Sequence, residues 1–110
     1  MQKVEHIGIA VKDLGVSIPL FEKLLQSECY KTEEVESEKV TTAFFRKQET
    51  KIELLQATSP DSVIQKFIEK RGEGVHHIAL EVEDIHKEIQ RLQGEGFIVL
   101  NPYPKRGADN

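Results

Sequence analysis

The segment GVHHIALEVEDI, residues 74–85, has the same pattern as KVEHIGIAVKDL, residues 3–14, and this repeat indicates the fold. An offset of 71 residues places His6 on His77. Apolar residues alternate with small or polar residues in both copies, so each predicts a strand with one strongly apolar face. An aspartate follows each strand and is a plausible helix cap. The repeat therefore predicts two β-α-β-type modules placed side by side.

Length and composition fit one soluble globular domain. The chain has 110 residues, with 38% hydrophobic and 31% charged residues and a net charge of −4. It has no basic excess of the kind that nucleic-acid binding requires, and its apolar runs are too short to span a bilayer. The N-terminus lacks the pattern of a signal peptide, and the one cysteine, Cys29, excludes an internal disulfide. We therefore expect a cytoplasmic protein with neither nucleic acid nor membrane as partner.

The segments around the two copies give the rest of the architecture. The predicted elements are strand 3–11, helix 13–26, strands 28–35, 39–48 and 49–56, a short helix within 59–74, strand 76–82, a helix that begins after Asp84, and strand 97–100. The first half therefore has the order β-α-β-β-β. The predicted division is a first module over 1–57, a connector over 58–74 and an incomplete second module over 75–110.

The two equivalent histidines share a strand face with small residues. His6 lies on the face of Gly8, and His77 lies on the face of Ala79, so there is room above both strands. If the modules share one curved sheet, the imidazoles converge in a cavity. For either histidine alone, a structural residue at a strand start is the favoured interpretation. Their equivalent positions in the repeat favour a paired role.

Glu53 is a candidate third member of this group. In KIELL, residues 51–55, Ile52 and Leu54 face one way and Glu53 faces the other. The carboxylate either faces solvent or joins the two imidazoles. Two neutral imidazole nitrogens with carboxylate oxygens suit a divalent ion such as Zn, Co, Mn, Ni or Fe. Because these residues are distant in sequence, their spacing alone does not identify a metal site.

The twin strands EHIGIAV and HHIALEV, with KIELL between them, resemble the vicinal oxygen chelate superfamily. Nearly the whole chain is similar to the methylmalonyl-CoA epimerases of that superfamily, through VEHIGIAVKDL, TKIELLQATSPDSVIQKFIEKRGEGVHHIALEVEDI and PKRGADN. The resemblance implies an α+β, glyoxalase-like fold in which paired βαβββ modules form a cup-shaped mixed sheet. It implies that His6, Glu53 and His77 bind one divalent ion (Co, Mn, Zn, Ni or Mg). His76 is then expected on the opposite strand face.

The activity implied by the resemblance is the interconversion of (R)- and (S)-methylmalonyl-CoA. A proton alpha to the thioester is removed and returned through a metal-stabilised enolate. The implied partners are methylmalonyl-CoA or a related acyl-CoA and a second copy of the chain. Lys70 and Arg71, or Lys105 and Arg106, are candidates for contacting CoA phosphates. The alternatives are a glyoxalase-like lyase acting on a glutathione hemithioacetal and a non-catalytic small-molecule-binding protein of the same fold.

The sequence departs from the epimerase pattern in two places. Family members continue past the GADN loop into two more strands, the last of which carries a glutamate as fourth metal ligand. Thr42 stands near the point where some epimerases have a glutamate proposed as the base. The catalytic residue is therefore left unassigned, and the run Glu33–Glu38 is interpreted as a solvated hairpin. We expect a C-terminally truncated epimerase that is weak or inactive and dimeric or aggregation-prone; a partner chain that completes the sheet and a non-catalytic remnant are the alternatives.

Overall fold

One mixed sheet of five strands organises the chain, in the order β2-β3-β4-β1-β5. The structure is a computed structural model and describes residues 3–100. Its elements are β1 (Lys3–Ala10), α1 (Leu14–Leu25), β2 (Lys31–Val35), a 3-10 turn (Glu36–Glu38), β3 (Val40–Lys47), β4 (Thr50–Ala57), α2 (Val63–Arg71), β5 (Gly74–Glu81) and α3 (Ile85–Gly94). The predicted α+β class, with an open glyoxalase-like sheet, is confirmed.

The helices begin where the sequence supplies caps. The Asp13 carboxylate accepts a hydrogen bond from the backbone N–H of Gly15 at 2.8 Å, and the Ser62 hydroxyl accepts one from Ile64 at 3.1 Å. The Asp84 carboxylate accepts two such bonds at the start of α3. Each cap satisfies a backbone donor that has no partner inside its helix. The predicted helix starts are therefore confirmed.

The two faces of the sheet are buried by different helices. On one face, α1 lies mainly against β3 and β4, over a cluster of Val11, Leu14, Ala43, Phe45 and Leu54. On the other face, α2 lies against β4, over Ala10, Val40, Leu55 and Ile64. Because successive strand residues point to opposite faces, neighbours such as Leu54 and Leu55 fill different clusters. This arrangement fixes which side chains of β1 and β4 face the α2 side.

The antiparallel pairing of β1 with β5 has a pseudo-two-fold symmetry. Ile7 pairs with its own repeat counterpart Ile78, and the pairs to either side are His6 with Ala79 and Gly8 with His77. Exchanging each residue for its counterpart 71 positions away maps this register onto itself. The repeat seen in the sequence is therefore also a symmetry of the sheet, with its axis between the two isoleucines.

Each strand of this pair contains one β-bulge. The register moves from Val4 opposite Leu80 to His6 opposite Ala79, so Glu5 is the extra residue on β1. It moves from Gly8 opposite His77 to Ile9 opposite Val75, so the extra residue on β5 is His76. A bulge interrupts strict alternation and re-aims the side chains beside it. Glu5 and His76 are repeat counterparts, so the two bulges obey the same symmetry.

The apolar face of the second copy is poorly covered. Ile78, Leu80 and Ile85 are 59%, 45% and 43% exposed, and α3 has no buried residue. In the first copy, β3 and β4 provide the surface on which α1 packs. Residues 3–100 contain no counterpart of those two strands beside β5. The amphipathic helix α3 therefore forms as predicted without burying its apolar face.

The strand predicted over residues 97–100 is wrong. These residues lie outside the five-stranded sheet, and the side chains of Phe97, Ile98 and Leu100 are 62%, 87% and 94% exposed. A strand requires a hydrogen-bonded neighbour, and no described segment pairs with this one.

Among the described helices, none is long and apolar enough to cross a membrane.

Candidate metal centre

Three adjacent strands bring the three predicted site residues together. β1 carries His6 and lies between β4, which carries Glu53, and β5, which carries His77. Gly8 pairs with Glu53 on one side and with His77 on the other. Residues paired across a sheet share a face, and His6 lies two positions from Gly8 on that same face. All three side chains therefore rise from one small area of the sheet.

The donor atoms of these residues form a compact group. The Nε2 atoms of His6 and His77 are 3.0 Å apart, and their rings meet edge to face at 88°. The Glu53 carboxylate lies 3.4 Å from Nδ1 of His6 and is 7% exposed. One potential ligand atom from each residue lies within 4.8 Å of the other two. The three residues singled out in the sequence therefore lie together, and their role as metal ligands stays a prediction.

This geometry fits a divalent cation. Nitrogen ligands lie about 2.0–2.1 Å from zinc, so two ligands at a coordination angle between about 90° and 110° are about 2.9–3.4 Å apart. The observed 3.0 Å between the two Nε2 atoms falls in that range. Two imidazoles and one carboxylate also supply the nitrogen and oxygen donors that borderline divalent ions prefer.

Gly8 is required because the His77 ring lies directly over it. A Cβ atom at this position would come within 2.2 Å of Cε1 of the His77 ring and 2.6 Å of its Nε2 atom. No such contact occurs between real side chains, so any larger residue would displace the imidazole. Glycine at position 8 therefore allows the His77 ring to lie against the backbone of β1, in addition to leaving space above the strand.

The residues that contact the two histidines could not be assigned from strict strand alternation. Nδ1 of His6 donates a hydrogen bond to Glu5 Oε1 at 2.6 Å, and Glu5 Oε2 lies 3.0 Å from Nζ of the buried Lys51. Nδ1 of His77 lies 3.0 Å from Nδ1 of His76. The expectation that His76 lies on the opposite strand face is wrong, because the β5 bulge turns it toward the same cavity as His77. The sequence did contain a signal for these contacts. In each strand one polar residue, Glu5 or His76, occupies a position on the otherwise apolar face.

A cavity of about 430 Å³ opens above the three donors. It is lined by His6, Glu33, Val35, Ser37, Glu38, Val40, Thr42, Glu53, Leu55, Val63, Ile64, His76 and His77. The predicted β2–β3 hairpin is present, but two of its carboxylates, Glu33 and Glu38, belong to the cavity wall as well as to the solvated surface. A concave wall that combines aliphatic side chains with several polar and ionisable ones suits a small-molecule site.

The predicted phosphate contacts are not part of this cavity. Lys70 and Arg71 lie in the last turn of α2 and do not line it. Lys105, Arg106 and the closing PKRGADN segment lie outside the described residues. A role for any of these basic residues stays a prediction.

Two protonation equilibria are shifted in the site. Burial lowers the pKa of His77, and positive charge on His6 or His76 lowers it further. Burial alone would raise the pKa of Glu5, but hydrogen bonds from His6 and Lys51 outweigh it and hold that pKa below its usual value. Near neutral pH these shifts favour a neutral His77 beside an ionised Glu5. A neutral imidazole is the form that binds metal.

Comparison with known proteins identifies the class to which this fold and site belong. The model of the glyoxalase/bleomycin resistance protein/dioxygenase superfamily matches residues 5–110. The chain therefore belongs to that superfamily.

Epimerases are among its relatives. The chain is 37% identical to the ethylmalonyl-CoA/methylmalonyl-CoA epimerase of Cereibacter sphaeroides, over 96% of this chain and 81% of that protein. A solved variant of Streptomyces coelicolor methylmalonyl-CoA epimerase, in complex with 2-nitronate-propionyl-CoA, superimposes with a TM-score of 0.86 at 31% identity and covers 98% of this chain and 79% of its own. The hypothetical protein BH1468 from Bacillus halodurans C-125 superimposes with a TM-score of 0.92 at 41% identity, with 97% and 78% of the two chains covered.

The lowered pKa of His77 predicts how the stability of the metal-free chain depends on pH. Its folded-state pKa lies below the ordinary value of 6.5, so the unfolded chain binds more protons as pH falls through that value. The contribution of neutral His77 to stability is complete above pH 6.5 and is lost as pH falls through the folded-state pKa. We expect urea unfolding with a chelator present to show stability that falls as the pH is lowered below 6.5.

His77→Gln should flatten this fall, and His86→Gln, at an exposed position of α3, should leave it unchanged. A pH dependence that His77→Gln does not alter would contradict the assignment.

Proposed function

We propose that the chain is a metal-dependent acyl-CoA epimerase that acts on methylmalonyl-CoA or a close relative, with His6, Glu53 and His77 as metal ligands. The observation that carries the proposal is the group of three donors at the base of a cavity in a chain whose relatives include named epimerases. The acyl-CoA bound by the solved Streptomyces coelicolor relative supports the substrate class.

The donor set of the site suits a bound cation. The two histidines would bind it as neutral imidazoles, and the buried Glu53 would bind it through its carboxylate. A divalent ion of the proposed set (Co, Mn, Zn, Ni or Mg), when bound, supplies positive charge where the deprotonated thioester becomes negative.

Glu33 is the proposed proton-transfer group. It lies directly opposite Thr42 in the β2–β3 pairing, and both residues line the cavity. Thr42 stands near the point where the resemblance implies a basic glutamate in some epimerases. A carboxylate on the neighbouring strand supports proton transfer from nearly the same side of the cavity. Lys31 Nζ lies 3.1 Å from the Glu33 carboxylate, at the rim of the same hairpin.

The proposal predicts exchange of the substrate proton with solvent. Incubation with methylmalonyl-CoA and Co²⁺ in deuterated water should place deuterium at the carbon between the thioester and the carboxylate, as measured by mass spectrometry. His77→Ala should lose both bound Co²⁺ and exchange, because it removes one of three ligands. Glu33→Gln should keep the metal and lower exchange at least about 100-fold, the lower end of the usual range for lost acid–base catalysis.

Glu34→Gln is the matched control, since Glu34 is the exposed neighbour of Glu33 and lies outside the cavity wall. Absence of exchange from a Co²⁺-loaded chain, together with conversion of a glutathione hemithioacetal, would overturn the proposal in favour of a glyoxalase-like lyase. If the purified chain holds no metal and binds acyl-CoA without exchange, it is a binding protein and not an epimerase.

We also propose that the chain associates with a second copy through β5. Within residues 3–100, β5 is the last strand at one edge of the sheet, and one side of its backbone has no neighbouring strand there. Its outward residues Val75, Ile78 and Leu80 are 57%, 59% and 45% exposed. An exposed edge next to a continuous apolar face favours association with another chain.

Light scattering after size-exclusion chromatography should therefore give a dimer or larger species at micromolar concentration. Ile78→Lys should shift the population toward monomer, because it places a charge on the apolar face. Leu24→Lys is the control, at a 69% exposed position of α1. A monodisperse monomer for the unmodified chain would contradict association through β5.

A further inference from the structure

The two β-bulges place equivalent residues against the two histidines of the site. Glu5 precedes His6, His76 precedes His77, and both pairs are related by the offset of 71 residues. In a regular strand each of these residues would point away from the histidine that follows it. The extra residue in each strand removes that constraint. Both side chains consequently reach the imidazole of the next residue.

The contacts involve the same ring atom in both halves. Glu5 Oε1 lies 2.6 Å from Nδ1 of His6, and Nδ1 of His76 lies 3.0 Å from Nδ1 of His77. The Glu53 carboxylate is also near Nδ1 of His6, but at the longer distance of 3.4 Å. With Nδ1 of each histidine engaged, the two Nε2 atoms face each other at 3.0 Å. These Nε2 atoms are the ones free to bind a common ion.

We propose that Glu5 and His76 are equivalent positioning residues, each of which holds a ligand histidine by Nδ1 and aims its Nε2 at the shared cation. The proposal rests on the proposed metal site and assigns two residues to it beyond the three ligands. Hydrogen bonds to the second nitrogen of a ligand histidine fix its tautomer and ring orientation. Here a β-bulge in each strand brings the contacting residue to the Nδ1 atom of the histidine.

Each positioning residue has its own support. Glu5 is held by the buried Lys51, whose Nζ lies 3.0 Å from Oε2 and which pairs with His6 across β1 and β4. The His76 ring packs edge to face on Phe67 of α2, with centroids 5.0 Å apart. An ion pair therefore anchors one side of the site, and an aromatic contact anchors the other. α2 thereby contributes to the site without supplying a ligand.

The difference between a carboxylate and an imidazole has a consequence for the protons. A carboxylate only accepts, so His6 carries its proton on Nδ1 and its Nε2 accepts from Nε2–H of His77 in the metal-free chain. Nδ1 of His77 must then accept from Nδ1–H of His76. When both Nε2 atoms bind metal, the proton of His77 must be on Nδ1, and His76 must become the acceptor. An imidazole can take either role, and a carboxylate could not.

Zinc titration tests the proposal through affinity. Glu5→Ala and His76→Phe should each weaken Zn²⁺ binding about 10- to 100-fold in calorimetry, the usual effect of losing such a partner. His76→Phe keeps an aromatic ring beside Phe67 and removes the nitrogen. Glu5→Gln keeps an acceptor oxygen and should recover part of the loss. Glu34→Ala and His86→Phe, both at exposed positions, are the controls and should bind as the unmodified chain does.

Nitrogen-15 NMR of the histidine rings provides a second readout, which a general loss of stability would not produce. In the metal-free chain, His6 should carry its proton on Nδ1, and Glu5→Ala should reduce the share of that tautomer. Zn²⁺ should move the proton of His77 from Nε2 to Nδ1 in the unmodified chain. Equal Zn²⁺ affinity and unchanged tautomers in both variants would overturn the positioning role.

If the proposed metal site itself is wrong, the unmodified chain will bind no Zn²⁺. This result is distinct from a loss of affinity in the variants alone. The tautomer of His6 in metal-free Glu5→Ala still decides the positioning role of Glu5 in that case. A normal circular dichroism spectrum for each variant is required, and Glu5→Gln replaces Glu5→Ala if the latter fails to fold.

Discussion

The site depends on one constraint, which is the antiparallel pairing of β1 with β5 about a pseudo-two-fold axis. The axis passes between Ile7 and Ile78, so each pairing and bulge on one side of it has an equivalent on the other side. His6 and His77 stand at equivalent positions on either side and meet with their Nε2 atoms 3.0 Å apart. This symmetry places the two histidines over the same part of the sheet. Glu53 then comes from β4, which pairs with β1 on the side away from β5.

The order of elements and the three gathered residues could be predicted because local signals encode them. Helix caps and alternating apolar residues define the elements, and the repeat relates His6 to His77. The bulges could not be predicted from strict alternation, which places His76 on the wrong face. The signal was a charged residue, Glu5, among the positions of β1 that otherwise form its apolar face. Predicting the contact between Glu5 and Lys51 requires the register in which β1 pairs with β4. A sequence pattern does not specify that register.

The incorrect strand at residues 97–100 and the exposed face of α3 have a common cause. A strand and an amphipathic helix are each recognisable from their own residues, but both need a neighbouring surface for burial. α1 has β3 and β4 as that surface, whereas residues 3–100 contain no corresponding strands beside β5. Ile78 and Leu80 consequently remain exposed. The predicted module boundaries, at residues 57 and 75, stay a prediction.

Anomalous diffraction from crystals of the chain grown with Co²⁺ decides whether His6, His77 and Glu53 share one cation. We expect one peak per chain, about 2.0–2.2 Å from Nε2 of His6, Nε2 of His77 and a carboxylate oxygen of Glu53, the distances usual for such ligands at a divalent site. A peak bound elsewhere, or an ordered His6–His77 pair with no peak between them at saturating Co²⁺, would contradict it.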